Sequence, residues 1–167
     1  SNCGHWLVVA KDLDQLADTY RGADFVVAIG DNIVRMKVFS SCLIPDFNPV
    51  TVIHPTAYVS KYAEIGIGSV IFANAAVNVD SRIGKCSIIN TGATVDHDCH
   101  LGDTVHISPG ANLAGEVSVG TASWIGVGAC VKQQVAIADN VIVGAGAVVV
   151  SNTPSNLTVV GVPAKPL

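Results

Sequence analysis

Ile65-Gly-Ile-Gly-Ser-Val-Ile71-Phe-Ala-Asn-Ala-Ala-Val77-Asn-Val-Asp-Ser-Arg-Ile83-Gly-Lys-Cys-Ser-Ile-Ile89-Asn-Thr-Gly-Ala-Thr-Val95 carries an aliphatic residue at every sixth position. The phase extends backward through Val59 to Ile53, and forward through Leu101, Ile107, Leu113, Val119, Ile125, Val131, Ile137 and Val143 to Val149. Four residues after each aliphatic stands a small side chain, among them Ala75, Ser81, Ser87, Ala93, Cys99, Ala111, Ser123 and Ala147. The position directly after the aliphatic is often Gly or Asn, as at Gly66, Gly84, Asn90, Gly102, Gly120, Gly126 and Gly144. Such residues tolerate the backbone angles that corners demand, so the corners are expected there.

A period of six is even, so one face of a flat strand would satisfy it, but no strand runs for a hundred residues. No hairpin punctuation breaks the phase either. The chain must therefore turn every six residues and stack on itself, with three hexads closing a triangular coil. Stacked coils then pair their backbones at the parallel-strand spacing of about 4.8 Å. The expected fold is mainly β, a left-handed parallel β-helix of hexapeptide repeats spanning residues 51–152, preceded by a small α/β domain over residues 1–50. The phase ends near Ser155, and the proline-bearing tail, residues 153–167, is expected to leave the helix because proline cannot donate to a ladder.

Composition agrees with many short β-segments. Of 167 residues half are hydrophobic, yet aromatics contribute only 5% and charged residues 13%, while sixteen glycines supply turns. A formal charge of −4 with no basic run excludes a nucleic-acid binder, which needs clustered Lys and Arg for phosphates. The apolar stretch Trp6–Ala10 is too short for a membrane span or a signal h-region. Five cysteines without a CxxC pair fit reduced thiols and a cytoplasmic location. Cys99 falls on an inward position, and nothing marks Cys86 or Cys130 as a nucleophile.

Ahead of the repeat, Leu13, Leu16, Ala17 and Tyr20 give Asp12–Tyr20 the spacing of an amphipathic helix. Phe25–Ile29 reads as a short buried strand, Gly30-Asp31-Asn32 as a turn, and Ile33–Phe39 as a second helix capped by Asp31 or Asn32. The turn suits either a phosphate contact or a plain connection. Pro45, Pro49 and Pro55 mark the junction to the repeat.

The densest polar cluster of the repeat runs from Asn90 to His100 and is followed by His106. Three histidines, His97, His100 and His106, invite a zinc reading, because three imidazoles suit a catalytic metal. The hexad phase puts His100 and His106 at equivalent sites on different faces, so one chain cannot aim both at one ion. His97 beside Asp98 instead offers general-base chemistry: a carboxylate on one ring nitrogen fixes the tautomer and raises the basicity of the other. Two solvated surface residues would look the same in sequence. A non-catalytic β-helix with an ice-binding face would need a Thr ladder, and Thr91, Thr94 and Thr104 do not form one.

The stretch Asn90 to Gly115 resembles the active-site segment of the hexapeptide sugar O/N-acetyltransferases, a group that includes sialic acid O-acetyltransferases and bacillosamine-pathway UDP-amino-sugar N-acetyltransferases. The ending Val160-Gly-Val-Pro-Ala-Lys165 is similar to that of hexapeptide acyltransferases at large, and Phe25–Asn32 resembles the last strand of the family's N-terminal domain. The resemblance implies an acetyl-CoA-dependent transfer to the amine of a nucleotide-linked amino sugar, in surface-glycan biosynthesis and without metal. A sugar hydroxyl as acceptor is the alternative, and a γ-carbonic-anhydrase-like zinc protein a more distant one. It implies His97 as base and Asp98 as its orienting acid, His106 near the acetyl group, and Asn90 near the acceptor. Gly115 would offer its N–H to the thioester oxygen, Val127 and Ala145 would flank the pantetheine arm, and Lys165 would meet a coenzyme phosphate. Gly4, His5, Asp31 and Asn32 would serve the nucleotide sugar, and the family's homotrimer would place each site between neighbouring prisms. Family members open on a strand and a Gly-x-Gly-Gly-His turn, which Asn2-Cys3-Gly4-His5 matches only in its last residues, so the N-terminal domain reads as abbreviated.

Overall fold

The computed structural model describes residues 20–43 and 47–167. The expected helix over Asp12–Tyr20, together with Gly4, His5 and Pro45, lies outside the described residues or runs out of them. Two N-terminal strands, β1 (Ala23–Phe25) and β2 (Phe47–Pro49), pair in parallel around the helix α1 (Asn32–Cys42). The strand expected over Phe25–Ile29 stops at Phe25. Val27 is nevertheless buried, packed with Phe39 and Cys86, so the apolar run marks contact with the repeat rather than ladder pairing.

From Val52 the chain forms two-residue strands every six residues, β3 (Val52–Ile53) through β19 (Val148–Val149). As far as β16 (Cys130–Val131) each pairs in parallel with the strand eighteen residues on, as Thr94 with Asn112 and His106 with Trp124. The result is the left-handed β-helix of the hexapeptide pattern, a triangular prism of about six coils. Its first face begins at β3, its second at β4 (Tyr58–Val59) and its third at β5 (Glu64–Ile65). The second residue of each pair points inward, so Ile71, Val77, Ile89, Val95, Ile107 and Ile125 are wholly buried. The small residues beside them, Ser81, Ser87, Ala93, Cys99 and Ala111, are equally buried. Each inward aliphatic contributes about 1.5–3 kcal/mol of transfer free energy, against which the chain must be ordered only one coil at a time.

The corners differ from expectation. The left-handed backbone falls three residues after each aliphatic, at every sixth residue from Gly68 to Gly146, and includes Asp80, Cys86, Asp98, Thr104 and Glu116 with φ between 53° and 60°. The glycines directly after the aliphatics serve closeness of stacking instead. A Cβ on Gly84 would lie 2.4 Å from the carbonyl carbon and oxygen of Gly102 in the next coil.

The tail also corrects the expectation, because it stays on the prism. Thr153 bridges to Ile137, β20 (Thr158–Val160) pairs in parallel with β18 (Ile142–Val143), and β21 (Lys165–Pro166) folds back antiparallel on β20. The prolines permit this because the ladder uses the N–H groups of Thr153, Ile142 and Gly144 rather than their own. Val159 is thereby buried and closes the C-terminal end of the core, whereas Ile53 at the opposite end is 45% exposed. Among the described residues no helix is long and apolar enough to cross a membrane.

Helix α1 lies along the edge between the third and first faces. Asp31 caps it, its carboxylate accepting from Val34 N–H at 2.8 Å, and Asn32, Arg35, Phe39 and Cys42 form its buried stripe. Asn32 donates to the carbonyls of Ala122 and Ser123, Arg35 to those of Thr104 and Cys86, and Phe39 covers Gly68. The stripe thus descends one corner of the prism, from residue 122 through 104 and 86 to 68.

Candidate active site

His97 and Asp98 form the corner between the second and third faces, after β10 (Thr94–Val95). The His97 Nδ1 lies 2.8 Å from Asp98 Oδ2, and both side chains are about half exposed. Nδ1–H donates to the carboxylate, which leaves Nε2 as the basic lone pair. The hydrogen bond to Asp98 raises the His97 pKa above its ordinary value, and the fields of Asp96, Asp98 and Glu116 act in the same direction. Asp96 anchors the corner: its Oδ1 accepts from His97 N–H and from Asn78 Nδ2, each at 2.9 Å. Those two donors hold the Asp96 carboxyl below the usual carboxylate range.

One coil further on stands Gly115, whose carbon carries the His97 ring. A Cβ there would meet His97 Cε1 and Nε2 at 2.5 Å, so only glycine leaves room for the imidazole in this place. The Gly115 N–H makes no hydrogen bond among the described residues, while Glu116 N–H closes the corner on the His97 carbonyl. A basic nitrogen and a spare backbone donor therefore stand side by side. That pair can take a proton from a nucleophile and donate to a developing oxyanion.

Asn90 and His106 are brought together elsewhere, on the first face and the edge it shares with the second. Asn90 Nδ2 lies 3.3 Å from His106 Nε2, and Asn90 Oδ1 accepts from Thr91 N–H at 2.8 Å. Trp124, directly above on β15 (Trp124–Ile125), stacks on the His106 ring at 5.0 Å and 14°, and its indole N–H donates to Ser108 Oγ at 2.7 Å. His106 is buried, and burial together with the nearby Arg35 charge pushes its pKa down to about 4. Val127 and Ala145 continue the Asn90 edge upward, both exposed and linked by Gly146 N–H to the Val127 carbonyl. Lys165 is exposed above them on β21. Asp31 and Asn32 lie beside this half, Asp31 capping the helix and Asn32 bonded into the prism through its Nδ2, while its Oδ1 accepts from Arg35 of the same helix.

Within one chain, then, the expected residues fall into two halves. His97, Asp98 and Gly115 occupy one edge of the second face, and Asn90, His106, Val127 and Ala145 lie at its other edge. The outward residues of the face between them, Tyr58, Ala76, Thr94, Asn112, Cys130 and Val148, carry no charge. His100 points from the third face and His106 from the first, and among the described residues no three His, Cys, Asp or Glu side chains gather in a metal-binding group. Sequence reading missed Asp96, Arg35 and the Ser108–Trp124 support of His106. A spacing of sixteen to eighteen residues, which marks neighbours in adjacent coils, is the signal that would have found the last of these.

No protein-family model matches the chain, and no curated protein does. Solved structures do. A histidine-to-asparagine mutant of perosamine N-acetyltransferase from Caulobacter crescentus, in complex with CoA and GDP-perosamine, is 44% identical over 93% of this chain and 74% of that one, with a TM-score of 0.90. The acetyltransferase domain of PglB from Neisseria gonorrhoeae FA1090 is 44% identical over 92% of this chain and 77% of its own, at a TM-score of 0.89. WeeI from Acinetobacter baumannii AYE is 32% identical, covering 87% and 71%, at 0.84. With this identity, this coverage and this hexapeptide prism, the chain belongs to the hexapeptide-repeat sugar acetyltransferases.

Proposed function

We propose that the protein transfers the acetyl group of acetyl-CoA to the amine of a nucleotide-linked amino sugar, with His97 as general base. The likeness to an N-acetyltransferase crystallised with CoA and GDP-perosamine, and to a PglB domain crystallised with acetyl coenzyme A, supports the substrate classes. The observation that carries the chemistry is the His97 ring, tied to Asp98 at one nitrogen and lying over Gly115 with the other. The acceptor amine attacks the thioester carbonyl as Nε2 of His97 takes its proton, and the Gly115 N–H donates to the oxyanion. Collapse releases the coenzyme thiolate, which recovers the proton from the imidazolium. Backbone donation of this kind is worth about 10²–10³ in rate, and positioned general-base catalysis about 10²–10⁴.

The two half-sites support a homotrimer as the working form. If the uncharged second face turns toward a three-fold axis, the His97 edge of each prism meets the Asn90–His106 edge of its neighbour. Each site then draws the base from one subunit and the carboxamide and buried imidazole from the next. A panel of GDP-, UDP- and dTDP-amino sugars, with free sialic acid as a hydroxyl control, tests the transfer by release of coenzyme thiol. His97→Ala should lose turnover by about 10²–10⁴ while assembly and coenzyme binding persist. Near-full activity in that variant would remove the base from the mechanism, and turnover of the hydroxyl control alone would make the enzyme an O-acetyltransferase.

A further inference from the structure

Arg35 is 1% exposed, and among the described residues no carboxylate stands within ion-pair distance of it. All five of its N–H donors nevertheless have acceptors. Nε donates to the Cys86 carbonyl at 2.9 Å, Nη1 to those of Ile29 and Gly30 at 2.9 and 3.0 Å, and Nη2 to Asn32 Oδ1 and the Thr104 carbonyl at 2.7 and 2.8 Å. A buried cation held by carbonyl oxygens and the more distant field of Asp31, with no ion pair among the described residues, is a costly way to fasten a helix, since apolar side chains would fasten it as well. Its five contacts join the Ile29–Asn32 turn to two successive corners of the prism, and His106 begins two residues beyond the second of these corners. The Asn32 amide and the His106 N–H share one acceptor, the Ser123 carbonyl.

We propose that Arg35 is a positioning residue of the transfer site: by clamping the Ile29–Asn32 turn to the Cys86 and Thr104 corners it fixes the His106 ring, and through that ring the carboxamide of Asn90. The inference rests on Asn90 and His106 forming one half of the acetyltransferase site.

The hydrogen bonds set the required tautomer. Asn90 Oδ1 is taken by Thr91 N–H, so Nδ2 faces His106 Nε2 as donor, and Nε2 must be an acceptor. The proton of the neutral ring then sits on the buried Nδ1. Protonating His106 would turn Nε2 into a donor opposite a donor and expel the Asn90 amide. The groups that decide its charge are Arg35 from α1, the Gly30 carbonyl from the turn, and its own burial; Trp124 and Ile88 on the flanking strands bring no charge. The Cys86 thiol beside Arg35 is pushed up to about 11 by burial and stays neutral. With Nδ2 held on one hydrogen by His106, its other hydrogen is the one left to a ligand.

The test is the titration of histidine-labelled protein followed by NMR, with kcat measured in parallel on whichever nucleotide amino sugar the wild type accepts. In Arg35→Met the His106 titration should rise toward the ordinary imidazole range. The kcat should fall about tenfold to a hundredfold, with a new ionisation on the acid side and little change in the KM for acetyl-CoA. Should that variant not fold, Arg35→Lys keeps the charge and loses the fork; His106 should then titrate as in the wild type while kcat still falls. Phe39→Ala loosens the same helix away from the turn and should leave the His106 titration in place. An unmoved titration with unchanged kcat in Arg35→Met, an unchanged kcat in Arg35→Lys, or the same titration change from Phe39→Ala, overturns the proposal. The imidazole readout stands even if no amino sugar is turned over, so failure of the acetyltransferase reading is seen separately.

Discussion

Gly115→Ala is the substitution that best separates geometry from stability. The added methyl would lie 2.5 Å from His97 Cε1 and Nε2 and 3.2 Å from Cδ2. Ordinary carbon contacts begin near 3.5 Å, so the imidazole must retreat by about 1 Å. The backbone of Gly115 is outside the left-handed region, so alanine adds no conformational strain there. The ring is 48% exposed and has solvent to swing into, which limits the effect on stability to about 0.5 kcal/mol. A displacement of about 1 Å from a productive geometry costs about 10²-fold in rate. The expected result is therefore a kcat lowered about a hundredfold, with thermal midpoint and coenzyme binding almost unchanged. Coenzyme-thiol release gives the rate, and a melting curve the stability. The decisive comparison is with His97→Ala, where the ring is gone: adding Gly115→Ala to that background should cost nothing further. A single variant within threefold of wild type, or a double variant well below His97→Ala, refutes the reasoning.

Asp98→Asn removes the negative charge from the acceptor whose hydrogen bond raises the His97 pKa. With the neutral imidazole as the active form of the proposed base, the acid limb of kcat/KM should move to lower pH as the plateau falls, which a pH–rate profile reads directly. Gly84→Ala places a methyl 2.4 Å from the Gly102 carbonyl of the next coil, where only backbone can yield, and should destabilise by about 3 kcal/mol in denaturant unfolding. Ser123→Ala leaves the Val141 N–H without its 2.9 Å acceptor and the Ala138 carbonyl without its 2.7 Å donor, for about 1–3 kcal/mol by the same measurement.

The hexad phase was legible because the prism interior admits one residue type at each of two positions per six, from Ile71 to Val149, with no loop to hide it. The conformational role of the corner residues was not, since Cys86, Thr104 and Glu116 take the left-handed backbone without being glycine. Stacking against the coils on either side overrides their local preference. The His97–Asp98 contact could be read from adjacency, and the His97–Gly115 contact from an offset of one coil. Arg35 could not, because its burial depends on oxygens from residues 29, 30, 32, 86 and 104, which only the folded chain assembles. The tail was misread for a related reason: proline forbids a donor at its own position, not pairing by the residues around it.

The repeated corner has a consequence for how His97 and Asp98 came to stand where they do. Asp98 shares its backbone with Asp80 below and Glu116 above, each with φ near 60°. A His-Asp dipeptide placed at any corner of that edge would leave the prism in the same direction, displaced only along the axis by multiples of about 4.8 Å. The edge acts as a graduated rail, and the His-Asp pair as a slider with fixed orientation and discrete stops. The height of the pair along the prism can then be altered by moving two residues eighteen positions, leaving the direction in which its side chains project untouched.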